Sequence, residues 1–159
     1  MIRFDQGNHR FNYRVAGVAI HEERVLLHQG AGEDYWSLPG GRVEFGEAAE
    51  QTIRREMREE LDIDIDIVRL LWVAENFFAL GGMDYHELSL YFLMRLPNES
   101  KYMTQPGPYK CAEADRNLTF QWFPTQPEVL DGLSLRPSFL CAELQQLPQT
   151  LQHRIHRGE

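Results

Sequence analysis

The spacing of apolar residues changes period several times along the chain, and each change marks an expected element. Residues 13–21, YRVAGVAIH, and 24–29, RVLLHQ, are rich in β-branched and apolar residues on either side of polar His21, Glu22 and Glu23. That pattern predicts a strand hairpin. Residues 30–41, GAGEDYWSLPGG, carry the Gly and Pro punctuation of a loop, with a short strand expected around Trp36 to Leu38. From Glu47 to about Leu61 the residues are good helix formers, and Ala49, Ile53, Met57 and Leu61 recur every four positions. A helix with one apolar stripe is expected there.

Residues 65–80, IDIVRLLWVAENFFAL, are β-branched and aromatic enough for a strand, and Gly81-Gly82 turns the chain into a second one, DYHELSLYFLMRL. Residues 98–117 are polar around Pro106-Gly107-Pro108, and a loop of that length inside one domain is usually functional or mobile. LTFQWF reads as a short strand, PSFLCAELQQL from Pro137 as a closing helix, and HRIHRGE as a frayed tail. Strands before, between and after two helices imply an α/β or α+β fold with a mixed sheet. One domain is expected over residues 1–159, with a flexible tail over about 150–159.

Composition narrows the function classes more than the fold. A length of 159 residues suits one core. No apolar run approaches the ~18 residues of a membrane span. The polar start MIRFDQGNHRFNYR lacks the pattern of a secretory leader, so a cytoplasmic protein without a membrane partner is expected. Cys111 and Cys141 make no close-spaced metal or redox motif, which fits thiols in a reducing compartment. The formal net charge of −8 argues against nucleic acid as a partner. It sits awkwardly with an anionic substrate too, unless bound divalent cations reverse the local charge.

The acids concentrate on the expected helix. With 100° between successive residues, Glu56, Glu59 and Glu60 fall within about 100° of arc, beside the apolar stripe. Like charges three and four apart on a helix cost roughly 0.2–0.5 kcal/mol per pair. Shielding at the edge of a buried face makes the repulsion worse. Oxygen ligands on a rigid scaffold suit hard cations, Mg²⁺ above all. A solvated acidic face balanced by Arg54, Arg55 and Arg58 is the other reading of the bare cluster.

The flanking residues separate the two readings. Residues 41–63 resemble the signature of the Nudix (MutT-type) hydrolase family, G-x5-E-x7-R-E-U-x-E-E-x-G-U, where U is bulky and apolar. Gly41, Glu47, Arg55, Glu56, Met57, Glu59, Glu60 and Ile63 match, while Asp62 stands where the pattern has glycine. WSLPGG before the signature and QWFP after it extend the likeness. The resemblance implies an α/β/α sandwich with a central mixed sheet. It also implies hydrolysis of a nucleoside diphosphate linked to another group X, with Mg²⁺, or Mn²⁺ in its place, as cofactor. Glu56, Glu59 and Glu60 with the Gly40 carbonyl are then the implied metal ligands. Arg55 is implied to orient Glu59 in the catalytic set, and Glu47 to pair with Arg55 as a structural partner beside Gly41. A homodimer, common in the family, is one assembly the resemblance allows.

Three further expectations attach to single residues. Glu87 follows the Gly81-Gly82 turn on a strand, which makes it a candidate catalytic acid, against the plainer expectation of an exposed strand glutamate. His86-Glu87 followed by LSL lacks the second histidine that a zinc protease needs. For a nucleotide base, Trp36, Phe77, Phe78 and Tyr85 are candidate platforms, although aromatics mostly serve burial. Asp62 is expected in the left-handed conformation after the helix, at a small cost in stability and none in chemistry. The implied substrates are small nucleotides. Phe77 through Gly81 hold neither the proline nor the tyrosine that marks the ADP-ribose and dinucleoside polyphosphate groups, which favours nucleotide sugars or triphosphates. A catalytically silent nucleotide-sensing domain is the alternative, although every implied metal ligand is present.

Overall fold

The computed structural model describes residues 1–158 of the chain. In order it runs β1 (Arg3–Gln6), β2 (His9–Val18), β3 (Ile20–His21), β4 (Arg24–Gly30), β5 (Gly40–Arg42) and α1 (Ala49–Leu61). There follow β6 (Asp66–Leu80), β7 (Met83–Arg95), α2 (Lys101–Thr104), β8 (Tyr109–Lys110), β9 (Leu118–Pro124), α3 (Pro127–Gly132), α4 (Leu140–Glu143) and β10 (Gln152–Arg157). A larger sheet has the order β1-β2-β7-β6-β10, with β5 also on β2; a smaller one has the order β3-β4-β9-β8. β2 runs parallel to β7 and β10 parallel to β6, while the other pairs are antiparallel, so the larger sheet is mixed.

Alternation along the central strands divides the core in two. Val15 of β2 and Phe92 and Met94 of β7 face α1, packing with Ile53, Met57 and Leu61. Ala16, Val18 and Tyr91 face the other way, onto Trp72 and the α3 and α4 residues Leu130 and Leu140. Helices thus cover opposite faces of a mixed sheet, as expected from the sequence. No described helix is long and apolar enough to cross a membrane.

The expected stripe Ala49, Ile53, Met57 and Leu61 is buried throughout. α1 begins two residues later than the helix-former run. Ala48 offers no side-chain acceptor at the N-cap, and the Gln51 side chain reaches back to accept the Ala48 N–H at 2.7 Å. The helix ends at Asp62, whose φ of 54° and ψ of 44° are left-handed, with its N–H donating to the Arg58 carbonyl at 3.1 Å. Its side chain pairs with Arg58 at 3.6 Å, an exposed pair of little worth. Asp62→Gly is therefore expected to raise stability by about 0.5–1 kcal/mol with turnover unchanged. Thermal melts beside a turnover assay check this; a lower Tm would overturn it.

Four expectations need correction. Residues 13–21 and 24–29 do not form one ladder, because the chain leaves the larger sheet after Val18 and only Ile20–His21 pairs with β4. Val15, Ala16 and Val18 are all buried, so β2 sits at a sheet centre with β7 beside it, not in a two-stranded hairpin. The closing helix from Pro137 shrinks to four residues. Burial of Leu140 and Leu144 needs one turn, and Pro148 bars extension through Leu147. Residues 98–117 are not one structureless loop, since they contain α2 and β8. The buried Tyr102 hydroxyl donates to the Leu61 carbonyl at 2.8 Å, and Trp122 Nε1 donates to the Tyr102 carbonyl at 2.8 Å.

The tail is not frayed over residues 152–157. β10 pairs with β6 from Gln152↔Trp72 to Arg157↔Phe77, covering what would be an open edge. His153 meets Glu75 at 2.8 Å, and Arg154 Nε donates to Glu143 at 3.1 Å. These anchors are polar, so the apolar pattern gives no sign of the strand. Glu159 lies outside the described residues.

Candidate active site

α1 points its acids at β5. Gly40 and Gly41 pair with Ala16 and Val15 of β2, which brings backbone close to the helix. A Cβ on Gly41 would stand 2.3 Å from the Glu56 carboxyl carbon, so only glycine lets that carboxylate lie against the turn. Arg55 reaches over the same edge. Its Nε donates to Glu47 Oε2 at 2.8 Å and its Nη2 to Glu47 Oε1 at 3.0 Å, a bidentate pair. Its Nη1 donates to Glu56 Oε1 at 2.9 Å and reaches Glu59 only at 3.4 Å. Arg55 therefore grips Glu47 and Glu56 more closely than Glu59, the partner implied for it.

Arg55 holds the Glu47 carboxyl down to about 2, from an ordinary 4.5, with Thr52 donating as well. A carboxylate with a depressed folded-state pKa contributes stability above the unfolded value and loses it as pH falls through the folded one. Glu47→Gln is accordingly expected to lower Tm by a few degrees at pH 6–7, the gap closing between about pH 4.5 and 2. Paired acid melts test this; a gap constant down to pH 2 would remove the ion pair as its cause.

Glu60 lies deeper, 1% exposed, and its Oε2 has no hydrogen-bond partner among the described residues. Burial and the neighbouring Glu56 push its carboxyl up to about 8. Arg116, from the segment before β9, fills the space between the acids. Its Nη1 donates to Glu60 Oε1 at 2.8 Å and Glu56 Oε2 at 3.1 Å, and its Nη2 lies 3.6 Å from Glu59. Among the described residues no three acid, histidine or cysteine side chains close on one metal-sized point, since the guanidinium stands between these three. The donor set still suits a hard cation: carboxylate oxygens only, one of them buried and unpartnered.

A cavity of about 600 Å³ gathers acids and cations. Glu56, Glu59, Gly40 and Gly41 line it together with Arg14, Arg42 and Arg136. Glu87 enters from β7, set between neighbours by strand register. Asn12 lies opposite it on β2 and Asn76 on β6. Asn12 Nδ2 donates to Glu87 Oε2 at 2.6 Å, while Ser89 Oγ at 3.0 Å and Asn76 Nδ2 at 3.4 Å donate to Oε1. Asn12, Asn76 and Ser89 are each 1% exposed, so Glu87 is not the loose surface glutamate of the plainer expectation.

The aromatic candidates divide. Tyr85 and Phe78, cross-strand partners, stack at 4.8 Å and 9° on the cavity wall. Phe77 points to the opposite face of β6, between His86 at 4.5 Å and the Arg157 guanidinium at 4.3 Å. Trp36, half-buried, packs edge-on against Phe123 at 4.7 Å beside the core and does not line the cavity. Phe77 drops out as a stacking platform by strand parity, and Trp36 by its place away from the cavity. Sequence reasoning missed Arg14, Arg42, Arg116 and Arg136. Arg14 alternates with buried Val15 on a strand, which is a faint signal; Arg116 carried none.

Comparison with known proteins fits this arrangement. An RNA pyrophosphohydrolase of Haemophilus influenzae is 32% identical over 142 residues, covering 81% of this chain and 70% of the relative. An RNA pyrophosphohydrolase of Ruthia magnifica is 25% identical over 103 residues, 58% of this chain and 57% of the relative. The crystal structure of a UDP-X diphosphatase has the same fold, with a TM-score of 0.61 at 23% identity over 90% of this chain and 66% of that one. The chain spans less than two thirds of the length of the first curated relatives it matches, between 24% and 57%. The family model of the NUDIX domain matches residues 11–131. The chain belongs to the NUDIX domain family.

Proposed function

We propose that the protein hydrolyses a diphosphate bond in a nucleoside diphosphate linked to another group, using Mg²⁺ or Mn²⁺, in the cytoplasm. The observation that carries this reading is a cavity that brings Glu56, Glu59, the Gly40-Gly41 turn and Glu87 together with arginines, the buried Glu60 joining the same acids through Arg116. Glu56, Glu59 and Glu60 with the Gly40 carbonyl would hold the ion. An ion held there would polarise a phosphorus centre and lower the pKa of water.

The remaining work falls to the chain. Arg14 and Arg136 bind phosphate oxygens, and the Tyr85–Phe78 stack offers a face to a base. Glu87 accepts the proton of the attacking water, its carboxylate aimed by Asn12, Asn76 and Ser89. The water oxygen bonds to phosphorus as the bridging P–O bond breaks, and the bridging oxygen leaves on the second phosphate. Positioning and charge neutralisation supply most of the acceleration in such in-line transfer.

The test is a substrate panel with and without Mg²⁺: nucleotide sugars, nucleoside triphosphates, ADP-ribose, dinucleoside polyphosphates and 5′-triphosphorylated RNA. The RNA arm follows from the two relatives, although a net charge of −8 disfavours a polyanion. Phosphate is read directly and after added phosphatase. Metal-dependent hydrolysis of one class supports the reading. Silence across the panel with nucleotide still bound would favour the sensing domain.

A further inference from the structure

A single guanidinium touching three acids of a metal-type cluster is an unusual neighbour for a cation site. Arg116 lies within 3.1 Å of Glu56 and 2.8 Å of Glu60, and 3.6 Å from Glu59. Its segment is pinned at both ends. The Ala112 N–H donates to the Glu60 carbonyl at 2.6 Å, and the Ala31 N–H to the Asn117 carbonyl at 3.0 Å. Between those points residues 113–116 make a turn closed by Arg116 N–H to the Glu113 carbonyl at 3.1 Å, with Ala114 and Asp115 exposed. Arg116 Nε also forms an ion pair with Glu113 at 2.7 Å, a partner on its own turn that it keeps whichever way the turn faces.

We propose that Arg116 is the built-in cation of this cluster: a divalent ion and the guanidinium compete for the oxygens of Glu56, Glu59 and Glu60. Ion binding swings the 113–116 turn outward. The inference rests on the reading that these carboxylates hold a divalent ion. The physical reason is charge and size. A guanidinium needs nearly 3 Å to each oxygen, whereas Mg²⁺ draws oxygens to roughly 2.0–2.1 Å, so both cannot occupy the same oxygens. Arg55 meets Glu56 and Glu59, so Arg116 is what sets a cation against the buried Glu60 beside Glu56, and it stabilises the arrangement that the ion later uses. Arg116 thereby sets the affinity of the site for its ion, keeping it weaker than the acids alone would make it.

The experiment measures Mn²⁺ binding directly, by the EPR signal of the free ion, in the absence of any nucleotide. Arg116→Gln is expected to bind Mn²⁺ about tenfold more tightly than wild type, within the usual range of coupling between two sites. Equal or weaker binding by a folded variant overturns the competition. A second readout uses wild type alone, so it stands even if the variant fails to fold. Trypsin cleavage after Arg116 is expected to accelerate on adding Mn²⁺, with cleavage after Lys101 unchanged as the internal reference. Slower or unchanged cleavage after Arg116 overturns the proposal. Absence of Mn²⁺ binding in wild type and variant alike would instead sink the metal reading, and the competition with it.

Discussion

Glu60→Gln is expected to slow hydrolysis by about 10³-fold, on the scale of removing one group that stabilises developing charge, while leaving the fold intact. At alkaline pH the same substitution is expected to raise Tm. Both follow from one buried side chain. Glu60 is 1% exposed, and burial with Glu56 beside it pushes its carboxyl up to about 8. A carboxyl raised in the folded state contributes stability fully below the unfolded value of 4.5 and loses it as pH rises through about 8. Glutamine keeps the shape and never ionises, so the loss disappears. The expected pattern is equal melts at pH 5, a higher Tm for the variant at pH 9, and little activity at either. Activity within tenfold of wild type would take Glu60 out of the machinery. A lower Tm at pH 9 would show that its ionised form is stabilised, contrary to its burial.

The two glycines at the turn are expected to fail in opposite ways when replaced by alanine. Neither has a left-handed φ; what each requires is close approach. A Cβ on Gly40 would stand 2.0 Å from the Val15 carbonyl oxygen and 2.8 Å from Ala16 Cα, both backbone atoms of the strand it pairs with. Nothing there yields without parting β5 from β2. Gly40→Ala should cost about 3 kcal/mol, on the scale of overpacking, and lower Tm by roughly 6–12 °C. At Gly41 the obstacle is the Glu56 carboxylate, 2.3 Å away, which is a side chain and can turn aside. Gly41→Ala should therefore lose about 1 kcal/mol or less but remove Glu56 from the cluster, with activity falling far more than stability. Melts and turnover on both variants decide; equal stability losses would mean that β5 bends around either Cβ.

What could be read from the sequence was what is local. α1 declared itself because four stripe residues and three acids repeat on one helical period. The β6–β7 hairpin did so because Gly81 and Gly82, with φ of 59° and 79°, supply the conformation a two-residue turn needs. The Glu47–Arg55 pair was implied by the family resemblance and stands at 2.8 Å. Beyond that range the pattern fell silent. Val15–Val18 is apolar on both faces, and periodicity cannot distinguish a hairpin arm from a sheet centre. β10 is held by backbone pairing and polar side chains, so it lacks any apolar signature. Phe77 differs from Tyr85 only in the face it presents, and a shift of one residue in register reverses that. Arg116 lies 56 residues from Glu60, and no rule of spacing connects them.

The parallel pairing of β2 with β7 governs how the molecule must assemble. His9 meets Asp84 and Val18 meets Leu93, partners about 75 residues apart, so the middle of the sheet closes only once a long stretch of chain has been gathered. Closing such a loop carries an entropic cost that grows with its length, and topologies of this kind fold slowly. α1 and the β6–β7 hairpin can form early, on contacts between near neighbours. β5 cannot, because it pairs only with β2, and the Gly41 backbone meets Glu56 only when that pairing exists. A partly folded chain can therefore carry the acid helix complete and still have no site. Binding competence should appear together with the slowest folding phase and not before it.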